Sequence, residues 1–259
     1  MIATVPGARI WYEDSGSGTP LVLLHAGSGN SALWLHQLPA FTAAGYRCIA
    51  YDRRGHGRSS ADGMQSSTLA GDLEALLDEL RVQNCHLLGT AAGGIVAFDF
   101  ALSHPERVTS LVIANSIGGV QDADYLALQS RLRPSPQFDA LPVEVREIGP
   151  SYRASNAPGL ERWLELERAG APRGAAKQPT AIRITWSALG TLAMPVLLVT
   201  GDADLYAPPP VTKIFQDKIP GSRAVVIPQC GHSAYWEQPA LFNRAVLDFL
   251  EKASGGAAS

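Results

Sequence analysis

Six short runs of apolar residues, separated by stretches of helical periodicity, constrain the fold of this chain more than any other feature. The runs are rich in Val, Ile and Leu and lie at residues 20–25, 47–52, 85–90, 108–115, 195–201 and 223–228. Continuous apolar runs of this length are typical of strands buried on both faces of a parallel sheet. Helical periodicity marks residues 32–44, 69–80, 93–102 and 239–252. Strands that alternate with helices predict a three-layer α/β sandwich around a mostly parallel sheet.

Two departures from this alternation complete the predicted architecture. Near the start, the turn signal Pro6-Gly7 and the alternating stretch "ARIWYEDSG" predict a hairpin, which brings the sheet to about eight strands. Between residues 117 and 193 no strand is evident, and helical periodicity is interrupted by Pro and Gly. We therefore expect one domain with a core at 1–116 and 194–259 and a helical cap at 117–193, inserted over the edge where open α/β sheets bind ligands.

Charge and composition exclude several classes of partner. The formal net charge of −3 is spread over 259 residues without a Lys/Arg block, so we expect neither nucleic acid nor a membrane as a partner. No targeting or membrane-spanning segment is evident, and the odd number of cysteines, three, is typical of a reducing compartment, so a cytoplasmic location is expected. Neither metal nor organic cofactor is implied, because no ligand cluster or dinucleotide fingerprint appears. No feature indicates an oligomeric state.

The stretch "LLGTAAGG" resembles the G-x-S-x-G nucleophile elbow of the α/β-hydrolases. Gly89 and Gly93 occupy the two glycine positions, and Ala91 stands where the family has serine. A strand that turns abruptly into a helix strains the backbone of the middle residue, and side chains two positions away on either side would collide. The sequence thus predicts the elbow without its reactive oxygen.

Three further motifs extend this resemblance over residues 1–116 and 194–252. "HAGSG" resembles the family's His-Gly loop, which implies that the backbone amides of Gly27 and Ala92 form an oxyanion hole. "GDAD" implies that Asp204, rather than Asp202, is the catalytic acid, and "CGHS" implies that His232 is the catalytic base. "YDRRGHGRSS" resembles another family segment, in which we expect Asp52, His56 and Arg58 to brace loops.

The resemblance implies hydrolysis of a small carboxylic ester or lactone by Ser-His-Asp chemistry, but Ala91 cannot attack a carbonyl. Neither Thr90, at the strand end, nor Cys230 is expected to replace the nucleophile. Two explanations remain open. Ala91 is an engineered replacement of serine, or it is natural and the chain binds a ligand or uses the pair of His232 and Asp204 as a general base.

The sequence constrains the substrate less than it constrains the type of reaction. Four residues near the motifs are predicted to line the pocket: Trp34, Ile95, Tyr206 and Tyr235. One arginine of the cap pointing inward would bind a substrate carboxylate; the candidates are Arg131, Arg133, Arg146, Arg153 and Arg183. The resemblance is to short-capped esterases, enol-lactonases and C–C hydrolases, so hydrolysis of a C–C bond in a diketone-like acid is the alternative reaction.

Overall fold

The computed structural model describes residues 1–61, 67–170 and 178–255, which form an eight-stranded sheet flanked by helices. The strands are β1 (Ile2–Val5), β2 (Ala8–Ser15), β3 (Thr19–Leu24), β4 (Tyr46–Tyr51), β5 (Cys85–Thr90), β6 (Val108–Ala114), β7 (Val196–Gly201) and β8 (Arg223–Ile227). Their order across the sheet is β1-β2-β4-β3-β5-β6-β7-β8. The hairpin strand β2 pairs antiparallel with β1 and β4, and all other pairs are parallel. The predicted fold class is confirmed.

The middle strands explain why the apolar runs are continuous. Every residue of β5 and of β7 is buried, because each strand has neighbours on both edges and helices on both faces. Full burial of one Val, Leu or Ile side chain contributes roughly 1.5–3 kcal/mol. An alternating pattern, by contrast, would leave every second residue of these strands polar and buried.

The helices in chain order are α1 (Gln37–Ala43), α2 (Leu69–Glu79), α3 (Ala92–Ser103), α4 (Ala123–Leu132), α5 (Val143–Glu147), α6 (Pro150–Ser155), α7 (Ala157–Arg168), α8 (Trp186–Leu189), α9 (Pro209–Lys218), α10 (Ala234–Glu237) and α11 (Pro239–Gly255).

One prediction needs correction: residues 32–44 are not one helix. A 3₁₀ turn at Ser31–Trp34 precedes α1. Pro39 explains the break, since its ring is tolerated in the first turn of α1 but would clash with the carbonyl of residue 35 in a longer helix.

Two apolar clusters, one on each face of the sheet, form the core. On one face, residues of α2, α3 and α9 pack together, with the rings of Phe98 and Phe215 stacked at 6.0 Å. On the other face, residues of α1 and α11 pack together, including Phe41 and Phe242. The sheet is therefore the middle of three layers, and its carboxyl edge is left for other elements.

The segment predicted as a cap lies between β6 and β7. Its described residues form helices α4 to α8 and no strand. Residues 171–177 of the predicted cap and 256–259 of the predicted core lie outside the described residues. Within the described ranges, no helix is long and apolar enough to cross a membrane.

Candidate active site

Ala91 lies at the turn between β5 and α3, in a backbone conformation that non-glycine residues rarely adopt. Its φ is +49° and its ψ is −115°, and such a conformation costs on the order of 1–3 kcal/mol. Hydrogen bonds hold the residue there: its N–H donates to the carbonyl of Ala114 at 3.0 Å. Its own carbonyl accepts from the hydroxyl of Ser116 at 2.6 Å and from the N–H of Gly94 at 3.1 Å.

The two glycines of the elbow permit close contacts between backbones. A Cβ on Gly89 would lie 2.3 Å from the carbonyl oxygen of Gly93. A Cβ on Gly93 would lie 2.0 Å from the carbonyl oxygen of Leu24, at the end of β3. Both distances are too short for any side chain, so the glycine spacing is a steric requirement of the turn.

Asp204 follows β7 and binds His232, which follows β8. The Nδ1 atom of His232 lies 2.9 Å from Oδ1 of Asp204. Asp204 also accepts hydrogen bonds from the backbone N–H groups of Tyr206 (2.8 Å) and Ala207 (3.0 Å) and from Nδ2 of Asn115 (3.0 Å). Burial alone would raise the pKa of Asp204, but His232 and these donors hold it below its usual value. Asp204 is therefore a buried, ionised carboxylate.

Asp202, the other candidate for the acid, has a different role. Asp202 is exposed, and its side chain accepts a hydrogen bond from the backbone N–H of Cys230 at 3.2 Å. This hydrogen bond anchors the loop that carries His232, but it does not involve the imidazole of His232.

His232 lies between two carboxylates. Its Nε2 atom is 4.0 Å from Oε2 of Glu147, on the side opposite Asp204. Burial lowers the pKa of His232, but the two carboxylates outweigh burial and raise the pKa above its ordinary value of 6.5. The ring of Tyr206 packs against the imidazole with centroids 4.4 Å apart. The two carboxylates therefore stabilise the imidazolium more than water alone would.

A cavity of about 280 Å³ adjoins this pair. Its lining includes six of the residues predicted for the site: Gly27, Ala91, Ala92, Ile95, Tyr206 and His232. Gly27 and Ala92 are neighbours, since a Cβ on Gly27 would lie 3.5 Å from that of Ala92. Ala92 begins α3, so no carbonyl within the helix can accept its N–H. A larger open groove of about 700 Å³ lies between β8 and α11, and neither His232 nor Asp204 lines it.

Trp34 and Tyr235 do not line this cavity, contrary to the prediction. Both side chains are buried in the cluster between the sheet and α11, with their rings 5.2 Å apart. The 3₁₀ turn that ends at Trp34 directs the indole into this layer. Full burial there removes more of a large aromatic side chain from water than lining an open cavity would.

Two arginines and two glutamates of the segment between β6 and β7 also line the cavity. These are Arg133, Arg146, Glu147 and Glu167. Of the other predicted arginines, Arg131 is exposed, Arg153 donates to backbone carbonyls of α5, and Arg183 donates to the carbonyl of Gln121.

The sequence did not predict Glu147, because a helix of five residues has too few turns for periodicity to indicate which face points inward. Asn115 was missed as well, although a polar residue directly after a buried strand is a usable signal.

No alternative nucleophile or metal site is evident in the part of the chain that the structure describes. The thiol of Cys230 is buried, and burial raises its pKa far above the ordinary range. The hydroxyl of Thr90 is buried without a hydrogen-bond partner and does not line the cavity. No group of three or more His, Cys, Asp or Glu among the described residues is placed to hold a metal ion.

Comparison with known proteins agrees with this fold. The model of the alpha/beta hydrolase family matches residues 21–245. A 2-hydroxy-6-oxononadienedioate/2-hydroxy-6-oxononatrienedioate hydrolase of Cupriavidus pinatubonensis is 30% identical, over 93% of this chain and 90% of that protein. A thermophilic esterase from Thermogutta terrifontis is 26% identical with a TM-score of 0.78, covering 97% of each chain. Est816, an N-acyl homoserine lactone degrading enzyme, is 25% identical with a TM-score of 0.76, covering 96% of this chain and 100% of that chain.

The contact between Gly93 and Leu24 leads to a prediction about stability. We expect Gly93→Ala to lower the free energy of unfolding by about 3 kcal/mol or more, because the added methyl group overpacks a backbone contact. Gly190→Ala is the matched control: its Cβ would meet only ordinary contacts of 3.4 Å or longer, and we expect a change under about 1 kcal/mol. Urea denaturation followed by circular dichroism measures both, and equal stability of the two variants would contradict the steric account.

Proposed function

The chain belongs to the alpha/beta hydrolase family, and on that premise we propose that its cavity hydrolyses a small carboxylic ester or lactone. The proposal rests on one observation: His232, bound to the buried carboxylate of Asp204, lines the same cavity as the strained turn at Ala91. Similarity to an esterase and to a lactone-degrading enzyme supports this substrate class.

In a form of the chain with serine at residue 91, the positions of these side chains support a catalytic role for each of them. The serine hydroxyl attacks the carbonyl carbon, and Nε2 of His232 takes its proton while Asp204 stabilises the imidazolium. The amides of Gly27 and Ala92 receive the oxyanion, a contribution of about 3 kcal/mol per donor in related sites. The residues 91, 204 and 232 would thus form a catalytic triad.

We further propose that alanine at residue 91 replaces a serine. The strain at Ala91 supports this, because a positive φ presents the side chain to the cavity at a cost that a methyl group does not offset. The acyl-enzyme route is closed in the chain as it stands. Any turnover of this chain must then proceed by direct attack of water.

A second reaction, hydrolysis of a C–C bond in a diketone-like acid, is favoured by the arginines of the cavity. The Nε atoms of Arg133 and Arg146 are buried and have no hydrogen-bond partner among the described residues. A buried guanidinium N–H without an acceptor is costly, so a substrate carboxylate is a fitting partner. The substrate in the name of the Cupriavidus relative, a dioate, carries two carboxylates.

Restoring the nucleophile tests the proposed function. We expect Ala91→Ser to hydrolyse p-nitrophenyl butyrate or dihydrocoumarin with a burst of product equal to the enzyme concentration and with a covalent acyl-enzyme visible by mass spectrometry. The unchanged chain should show neither. If the serine variant hydrolyses no ester, lactone or ring-cleavage product while the cavity still binds a small molecule, the chain is a ligand-binding protein instead.

The carboxylates around His232 predict the pH dependence of that serine variant. Because neutral His232 is the base and its pKa is raised above 6.5, kcat/KM should increase with pH through a midpoint above that value. Glu147→Gln removes one of the two carboxylates, so the midpoint should move to lower pH. Rate profiles over pH measure the shift, and an unchanged midpoint would show that Glu147 does not act on His232.

The arginines predict selectivity for a substrate carboxylate. In the Ala91→Ser background, Arg133→Met should lower kcat/KM for p-nitrophenyl hemisuccinate about 10-fold or more, since a charge-assisted hydrogen bond is lost. The neutral p-nitrophenyl butyrate should change little. Arg131→Met, which removes an exposed charge two residues earlier, is the matched control. Equal losses for both substrates would contradict a carboxylate subsite.

A further inference from the structure

Among the described residues that line the cavity, Glu147 is the acidic side chain that lies near Nε2, the reacting atom of His232. Its Oε2 atom is 4.0 Å from Nε2, which is too long for a direct hydrogen bond. A water molecule with hydrogen bonds of about 2.8 Å to both atoms would subtend an angle of roughly 90° at its oxygen, which water readily adopts. The gap is therefore of the size that one bridging water spans.

The backbone holds Glu147 in this position. The N–H of His232 donates to the carbonyl of Glu147 at 2.9 Å. Gly149 and Gly231 pack backbone against backbone, since a Cβ on Gly231 would lie 2.6 Å from the nitrogen of Gly149. Both of their N–H groups donate to the carboxylate of Glu237, at 2.8 and 2.9 Å. The end of α5 and the loop that carries His232 thus form one fixed unit.

The side chain of Glu147 is held as well. The hydroxyl of Tyr206 interacts with its carboxylate and accepts a hydrogen bond from Nη1 of Arg146 at 3.2 Å. Because Tyr206 also packs against the imidazole of His232, one side chain orients both members of the pair. An incidental surface glutamate would have none of these contacts.

We propose that Glu147 is a catalytic residue of the chain as it stands, the general base that activates water for direct attack on the substrate carbonyl. This inference rests on the proposed function, because it assigns the base for the same cavity and the same substrate class. It supplies a route to hydrolysis that does not need an oxygen at residue 91.

The proposed steps balance without any other reactant. An O–H bond of water breaks, its proton passes to the carboxylate of Glu147, and the oxygen forms a bond to the carbonyl carbon. The carbonyl π electrons move to the oxyanion, which faces the amides of Gly27 and Ala92. On collapse, the bond to the leaving oxygen breaks and that oxygen takes the Nε2 proton of His232. Proton transfer from Glu147 to His232 then restores the starting state.

The charge state of the free site suits these roles. Burial raises the pKa of Glu147 while His232 lowers it, with a net increase that makes the carboxylate a stronger base than usual. The raised pKa of His232 favours the protonated imidazole that the leaving group needs. Among the described residues, the titratable and charged groups that interact with Glu147 or share its cavity are Arg133, Arg146, Glu167, Asp204, Tyr206, His232 and Tyr235.

The test compares Glu147→Gln with Glu144→Gln, a matched change on the same helix outside the cavity. Both are made in the chain as it stands and assayed with p-nitrophenyl butyrate and dihydrocoumarin, with His232→Gln as the background rate. General-base catalysis contributes about 10² or more, so we expect Glu147→Gln to lower kcat by that factor with little change in KM. Glu144→Gln should retain full activity, and Glu147→Asp should restore part of it.

The pH profile separates this route from a merely structural role. In the chain as it stands, kcat for dihydrocoumarin should fall as the pH rises through the pKa of His232, because its poorer leaving oxygen needs the acid. In the Ala91→Ser variant, kcat should rise over the same range, because neutral His232 is then the base. Increasing activity with pH in both forms would overturn the assignment, since His232 would be the base in both.

Failure of this inference can be distinguished from failure of the proposed function. If the Ala91→Ser variant is active while the unchanged chain is no faster than its His232→Gln variant, Glu147 is not a base and the proposed function stands. Equal activity of Glu147→Gln and Glu144→Gln leads to the same conclusion. If the serine variant is also inactive on both probes, the proposed function fails, and the role of Glu147 fails with it.

Discussion

The contact of Gly93 with the carbonyl of Leu24 is the constraint on which the site depends. It brings the start of α3 against the end of β3, so the strained turn at Ala91 and the loop of Gly27 meet at one edge of the sheet. Any side chain at Gly93 would separate them. The strain at Ala91 is maintained because hydrogen bonds from Ser116 and to Ala114 leave its backbone no relaxed alternative.

The cap is joined to the core by the same kind of contact. Gly149 and Gly231 allow two backbones to approach, and the carboxylate of Glu237 accepts the N–H groups of both. Glu147 and His232 are thereby held at a fixed separation, and Asp204 is fixed to His232 by its own hydrogen bond. Preorganised charges of this kind require little rearrangement during reaction, which is why electrostatic stabilisation contributes so much to catalysis.

Sequence predicted the sheet and the chain order of the site well, because both depend on local patterns. Continuous apolar runs identify buried strands, and the glycines of the elbow are needed because a side chain at either position would collide with the backbone. The lining of the cavity was harder to predict, since it depends on which way a side chain leaves a short turn. Trp34 illustrates this: its 3₁₀ turn buries the indole, whereas Tyr206 faces the cavity because its N–H is bound to Asp204.

Two carboxylates around one imidazole affect two reactions differently. They stabilise the imidazolium, so they make neutral His232 a stronger base for attack by a serine but lower the fraction of neutral imidazole at low pH. They favour a route in which His232 begins as an acid and another group removes a proton from water. Asp204 alone would suffice to orient the imidazole for a serine. The second carboxylate, Glu147, lies on the opposite side of the imidazole, 4.0 Å from Nε2, where it can take a proton from water that Asp204 cannot reach.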